Sequence, residues 1–342
     1  MRASFFCLAV ALLIVIQPSP LHAVREQAVA VDTADGLKLA ATVLRPNAPS
    51  GPVPAALLIQ GSGPTDRDGN QGPHWTPSTL KRIAVTLAAS GVASLRFDKR
   101  GMGANASQRP TARNAWRDFF RWERFVADAD AALQHLKQLT NVDPNAVFVI
   151  GHSEGGLIAL ELVSRLKRSV SGIVLLATPG RPPGALLTEQ VSRILDAQGA
   201  SAMQKTELVD AQAAIHRKIR ETGTVPSSVP PGLAALYPPY LGPFLQSFLN
   251  LKPEVSLRGV DVPTLAIFGR ADMQVSANRD GAIFMRVARE RSNGSRVIVL
   301  ENSNHVLQAE TSPIARDKPL HPDVMRAILT FIEATSNSRR PN

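Results

Sequence analysis

Three short stretches of this chain hold residues whose types could perform acyl transfer. In "GHSEGG" (151–156), Ser153 has a glycine two positions to either side, and the stretch follows the apolar run "AVFVI". A serine hydroxyl is a poor nucleophile until a base withdraws its proton and a third group orients that base. Asp272, in "AIFGRADMQV", and His305, in "VIVLENSNHV", each follow a later apolar run, in the order serine, acid, histidine. Such a set supports attack by Ser153 on an acyl carbon, with His305 as base and Asp272 as its orienting acid. The negative oxygen formed on attack needs hydrogen-bond donors. One candidate is the backbone N–H of Glu154. The other is that of Ser62 in the loop "QGSGPTDRDGN" (60–70), where Gly61 and Gly63 let the backbone approach a substrate.

A glycine-x-serine-x-glycine pattern is weak by itself. Its placement gives it weight: a buried strand ends there and a helix begins, so side chains at Gly151 and Gly155 would clash across a sharp turn. The other histidines compete poorly. His22 lies in the N-terminal leader, His74 precedes the serine, His135 sits within an amphipathic helix, His216 lies in a helical stretch and His321 starts the last helix. His152 adjoins Ser153, but the turn directs it elsewhere. In "RFDKRGMGAN", Asp98 and Arg100 are expected to brace the loop beside the oxyanion strand, in an ion network with Asp66, Arg67 and Asp68. Histidines and acids show no metal-ligand spacing such as H-E-x-x-H, and no phosphate loop is present, so neither metal nor cofactor is expected.

These residues need a scaffold that brings strand ends together. "QAVAVDT" and "LKLAATVLRP" flank the turn "ADG" as an antiparallel hairpin. Apolar runs at 55–63, around 92–98, at 146–150 and at 171–179 then alternate with helical patterns, including a long amphipathic one at 118–139. Fully apolar strands alternating with helices imply a mostly parallel, doubly wound sheet covered on both faces, with ligands bound at the carboxyl ends of its strands. Residues 181–255 break the alternation: helical periods lead into the Pro- and Gly-rich "VPSSVPPGLAALYPPYLGPF", with no strand candidate. The sheet pattern resumes at 262–272 and 295–305, and a final helix spans about 322–335. The expectation is one α/β domain over 24–342 with a helical insertion at 181–255, an independent second domain being the alternative.

Composition supports a globular chain: 342 residues, 44% hydrophobic and 19% charged. Arg2, the apolar run "FFCLAVALLIVI" and the small residue Ala23 describe a secretory signal over 1–23, and the run is short for a membrane span. An uncleaved anchor is the alternative. Cys7, the only cysteine, precedes the apolar core of that run and would leave with it, which excludes thiol and Cys-metal chemistry in the mature protein. An exported location, periplasmic or secreted, is expected, with no stable membrane insertion after cleavage. The net charge of +10 comes from scattered Lys and Arg, and only two Tyr and three Trp are available for base stacking, so no nucleic-acid role is expected.

Together "QGSGPTDRDGN", "LRFDKRGMGAN", "GHSEGG" and "FGRADMQV" resemble the α/β-hydrolase fold, within a bacterial group of carboxylesterases related to serine aminopeptidase-like hydrolases. The resemblance covers essentially the whole mature chain. It implies Ser153 as nucleophile, His305 as base, Asp272 as orienting acid and a helical cap at 181–255. Gln60 departs from the pattern, standing where many relatives carry the His of an "HG" motif. The expected activity is hydrolysis of small-molecule carboxylic esters through an acyl-enzyme. A peptidase or amidase with the same three residues is the alternative, and a non-catalytic binding protein of this fold a further one. Chain length of the acyl group and oligomeric state are not legible.

Overall fold

The computed structural model describes residues 24–47, 49–309 and 318–338; the signal segment read at 1–23 lies outside the described residues. Strands β1 (Val24–Asp32) and β2 (Lys38–Pro46) form the antiparallel hairpin, turning through Gly36 at φ 85°. The chain continues through β3 (Val53–Ile59), α1 (Thr79–Ala89), β4 (Ala93–Phe97), α2 (Trp116–Phe119), α3 (Trp122–Gln138), β5 (Val142–His152), α4 (Glu154–Leu160) and β6 (Gly172–Leu176). Between β6 and the next strand lie α5 (Pro183–Ala197), α6 (Ala202–Thr222), α7 (Pro231–Ala234), α8 (Gly242–Leu249) and α9 (Pro253–Arg258). Then come β7 (Thr264–Gly269), α10 (Ala282–Arg289), β8 (Arg296–Leu300) and α11 (Pro322–Asn337).

The eight strands make one sheet in the order β1-β2-β4-β3-β5-β6-β7-β8. The hairpin pairs antiparallel to β4, and every pairing from β4 through β3 to β8 is parallel. Alternating residues of the central strands enter two cores. Leu57, Ile59, Val147 and Val149 pack with Val126, Ala129, Leu133 and Leu157 on one face. Leu58, Phe148 and Ile150 pack with Ile83, Leu87, Ile328 and Phe331 on the other. Burying both faces is why these strands read as unbroken apolar runs.

The long helical pattern at 118–139 forms two pieces. Phe120 caps α2, Arg121 turns extended at ψ 148°, and α3 starts at Trp122. The break lets Trp116, Phe120, Trp122 and Phe125 all face Tyr240, Phe244 and Phe248, with ring centroids 5.1–5.8 Å apart. This aromatic seam seats α8 and the helices around it on the sheet domain. Those helices also hold a small core of their own, including Ile215, Ile219, Leu233, Tyr237 and Leu245.

Arg100 departs from the sequence expectation. It does not meet Asp66, Arg67 or Asp68. Its guanidinium is buried against Asp128 of α3 at 2.6 and 2.8 Å and reaches Asp35 of the β1–β2 turn at 3.0 Å. Consecutive side chains of "DKR" go to different neighbours, Asp98 to Arg67, Lys99 to Glu154 and Arg100 to Asp128, before the backbone turns at Gly101, φ 66°. Arg100 therefore ties the hairpin to α3 and does not touch the loop beside Ser153.

Burial pushes the Asp35 carboxyl up, but hydrogen bonds from Arg100 and Thr33 and the charges of Arg100 and Arg124 outweigh it and hold the group at about 2. Because the folded value lies below the unfolded one, this contribution to stability is present above the ordinary carboxylate range and is lost as pH falls from about 5 to about 2. Asp35→Asn should therefore lower the melting temperature at neutral pH and flatten its decline over that acid window. Wild-type and variant melting curves that stay parallel from pH 7 to pH 2 would refute the assignment.

Candidate active site

Ser153 sits between β5 and α4 at φ 54°, ψ −119°, a region that L residues seldom adopt. Its N–H is held by Leu176 O at 2.8 Å, so the neighbouring strand β6 fixes the turn. The two glycines are required by close approach. A Cβ on Gly151 would lie 2.3 Å from Gly155 O, and one on Gly155 would lie 2.3 Å from Ile59 O. The start of α4 thus packs directly on the ends of β3 and β5, and Ser153 stands at the carboxyl edge of the sheet.

Asp272 and His305 come from the loops after β7 and β8. Asp272 Oδ2 lies 2.8 Å from His305 Nδ1, while its Oδ1 accepts from Gln274 N and Val275 N at 2.7 and 2.9 Å. Both carboxylate oxygens are engaged and the residue is buried, so the imidazole is held in one orientation. His305 adjoins the serine turn through His152, whose Nε2 lies 2.9 Å from His305 O and whose ring centroid is 4.9 Å from that of His305. His152 is thus turned away from Ser153 and toward His305. Burial, with the neighbouring His305, pulls His152 down to about 4, so it is an uncharged spacer at neutral pH. Ser153 Oγ makes no hydrogen bond among the described residues.

The loop after β3 passes beside Ser153: a Cβ on Gly61 would be 3.3 Å from Ser153 Cβ. The Ser62 carbonyl accepts from Thr65 Oγ1 and Gln71 Nε2 at 2.7 and 2.9 Å. Gly63 turns the chain at φ 74°. The N–H groups of Ser62 and Glu154 take no hydrogen-bond partner among the described residues. Gln60 reaches from the end of β3 to Phe97 O at 2.9 Å, so it supports the loop from beneath. Asp98 accepts from Arg67 N and Arg67 Nη2, both at 2.7 Å, and from Ala104 N at 2.9 Å, which ties this loop to the one after β4. Asp68 meets Arg96 at 3.2 Å, and Asp66 is spent within its own turn on Asp68 N and Asn70 N.

Two residues that sequence reasoning missed stand out. Lys99 is buried, and its ammonium lies 2.8 Å from Glu154 Oε1 and 2.6 Å from Gly61 O, over the Phe125 ring. One cation therefore joins the loop holding Ser62 to the residue after Ser153, and the Glu154 side chain is occupied by it. The signal was present as a charge inside "FDKRG", but its partner lies 55 residues on and only the fold pairs them. Asp280 is fully buried and accepts from Gly180 N, Arg181 N and the Arg181 guanidinium at 2.8–3.2 Å, pinning the exit of β6 to the segment after β7.

Among the described residues no group of His, Cys, Asp and Glu is arranged to hold a metal ion. What the geometry provides is an oriented imidazole, a serine at a sharp turn and two backbone donors on facing segments.

Comparison with known proteins agrees with this architecture. The Hydrolase_4 family, described as serine aminopeptidase, S33, matches residues 71–221. Esterase EstD of Thermotoga maritima is 28% identical over 280 residues, which are 80% of this chain but 60% of that esterase, so the chain spans less than two thirds of its relative. Among solved structures, Est1E from Butyrivibrio proteoclasticus is similar with a TM-score of 0.56 and 17% identity, over 91% of this chain and 99% of that one. The α/β hydrolase GrgF from Penicillium sp. sh18 gives 0.57 at 16% identity, with the same coverage. The chain thus has the fold of these solved structures over nine tenths of its length, and its residues 71–221, which hold Ser153, are similar to the serine aminopeptidase family.

Proposed function

We propose that this chain is an exported serine hydrolase that cleaves carboxylic esters through an acyl-enzyme. The observation that carries the reading is the His305 Nδ1–Asp272 Oδ2 pair at 2.8 Å, set beside a serine held at the sharp turn between β5 and α4. Nδ1–H donates to Asp272, which leaves the Nε2 lone pair of His305 to take the Ser153 proton as Oγ attacks the acyl carbon. The N–H groups of Ser62 and Glu154 receive the oxyanion. Collapse expels the alcohol, which takes the proton from His305, and water repeats the sequence to release the acid.

An ester is favoured over a peptide by the acids of the helical insertion. A site for an N-terminal ammonium needs a free carboxylate beside Ser153, yet Glu189 is shared among Arg181, Arg193 and Arg279, Asp196 is paired with Lys205, Asp210 lines a cavity that does not include Ser153, and Glu207 and Glu221 lie exposed on α6. The relative named an esterase points the same way. Export rests on the segment 1–23, whose positive start, apolar run and terminal Ala23 suit a cleaved leader.

The test is turnover of p-nitrophenyl esters of graded chain length beside aminoacyl p-nitroanilides. Ester cleavage should fall by about 10³-fold or more in Ser153→Ala. Faster cleavage of the anilides would transfer the reading to a peptidase, and undiminished ester cleavage in the variant would refute the nucleophile. In the same assay Lys99→Met should lower kcat by about tenfold to a hundredfold with KM within about twofold, because it loosens both oxyanion donors while the cleft stays in place. An unchanged kcat would remove Lys99 from any role in positioning. For export, N-terminal sequencing of the full chain expressed in a Gram-negative host should find the periplasmic product starting at Val24. A cytoplasmic product that retains Met1 would refute it.

A further inference from the structure

The helical segment between β6 and β7 contains a buried polar relay that the proposed reaction does not use. Gln212, His216 and Tyr237 are all at most 4% exposed, within the small apolar core of α6, α7 and α8. Gln212 Nε2 donates to Tyr237 Oη at 2.7 Å, and Tyr237 Oη lies 2.7 Å from His216 Nε2. Buried polar groups in so small a core cost stability unless each is satisfied. Gln212 Oε1 is left without a partner at one end, and the relay runs out at His216 at the other.

Its direction follows from proton inventory. Tyr237 Oη accepts from Gln212 Nε2, and His216 Nε2 is the one other group at hydrogen-bond distance from it among the described residues, so its proton goes to His216 Nε2. Burial pushes the Tyr237 phenol up to about 12, so it retains that proton. Burial, together with the charge of Arg220, pulls His216 down to about 4, so the ring is neutral and its one N–H is on Nδ1. Among the described residues nothing accepts from that N–H.

Nδ1 faces an open cavity of about 770 Å³ between α5 and α6, whose lining includes Gly184, Thr188, Val209, Ala213, His216 and Arg220. None of Ser153, Asp272 and His305 lines it. Gly184 marks where the donors converge: a Cβ placed there would lie 2.5 Å from Arg220 Nη2 and 3.4 Å from His216 Nδ1. Arg220 spends its Nε on Leu249 O at 3.3 Å, and its terminal nitrogens meet no carboxylate among the described residues. The nearby Glu189 is not available to it, being held by Arg181 at 2.5 Å and Arg279 at 3.0 Å. A guanidinium fork and a preoriented imidazole N–H beside a glycine form a receptor for two oxygens of one planar anion. The rest of the lining sets Arg181, Lys205 and Arg279 against Glu189 and Asp210, with alanine, valine, threonine and serine between them, so the cavity carries a cationic excess, and its volume is that of a small-molecule site.

We propose that this cavity is a second binding site, distinct from the Ser153 cleft, for a small organic carboxylate whose oxygens are held by Arg220 and His216. The helix that forms one wall also touches the loop of the orienting acid: Gln190 Nε2 donates to Gln274 O at 3.1 Å and Arg193 to Met273 O at 2.7 Å. A carboxylate seated on α5 is therefore one helix away from Asp272.

The experiment is calorimetric titration of the full-length protein with benzoate, and with benzamide as its uncharged counterpart. Benzoate should bind saturably to wild type and to Ser153→Ala with the same affinity, and benzamide about tenfold or more weaker. Arg220→Met on α6 and Gly184→Leu on α5 should each weaken benzoate by about tenfold or more, each variant being checked for a wild-type circular dichroism melt. Absence of saturable benzoate binding to wild type would overturn the proposal. Equal affinity for benzamide, or affinity that survives both substitutions, would overturn it too. Loss of benzoate binding after Ser153 is blocked by a phosphonate would assign the site to the Ser153 cleft instead. None of these outcomes depends on ester turnover, so failure of the esterase reading and failure of this one are separable.

Discussion

The backbone at Ser153 is the constraint on which the rest of the site depends. A non-glycine residue at φ 54°, ψ −119° costs on the order of 1–3 kcal/mol and persists only where its surroundings over-determine it. Here they do so from three sides. Strand β5 is locked between β3 and β6, Leu176 O holds the Ser153 N–H, and Gly155 lies so close to Ile59 O that no side chain could intervene. A looser sheet would let the turn relax into an ordinary helix start. The serine would then lose its exposure at the sheet edge and its placement against the β3 loop.

Charges divide into groups that hold this geometry and groups that hold the fold at a distance. Arg67–Asp98 joins the β3 loop to the loop after β4, and Lys99 of that second loop ties Glu154 at the start of α4 to Gly61 O of the β3 loop. Arg100, one residue beyond Lys99, serves the hairpin and α3 instead. Buried pairs of this kind contribute little net stability, because desolvation offsets most of the attraction. Their value is geometric. Each fixes two segments at hydrogen-bond distance, and removing one partner would leave a buried charge without compensation.

The helices between β6 and β7 are joined to the sheet domain by different physics. An aromatic seam from α2 and α3 to α8 supplies broad contact, while Asp280 and Arg181 fix the point where the chain leaves β6. Each edge-to-face pair contributes about 0.5–1.5 kcal/mol beyond its burial, whereas a bidentate ion pair fixes two hydrogen bonds in one geometry. The segment is thus anchored firmly at its entry and more softly across its breadth.

Much of this was legible in the sequence because it is local. A doubly buried strand must be apolar throughout, so "AALLI", "AVFVI" and "GIVLL" declare a parallel sheet, and the residues just after such strands must gather at one edge. Ser153, Asp272 and His305 could be picked out by that rule, as could the loop that carries Ser62. What the sequence could not determine was pairing across distance. Glu154 belongs with Lys99, Arg100 with Asp128 and Asp35, His152 with His305, and His216 with Tyr237, and no spacing rule connects them. Nor did a continuous helical period reveal the break at Phe120, which the aromatic seam imposes. Periodicity reports how each segment meets an apolar interior. Which charge finds which partner is decided only when strand order and loop path bring the chain together, because a side chain's polar partner is chosen by proximity in space and not by position along the chain.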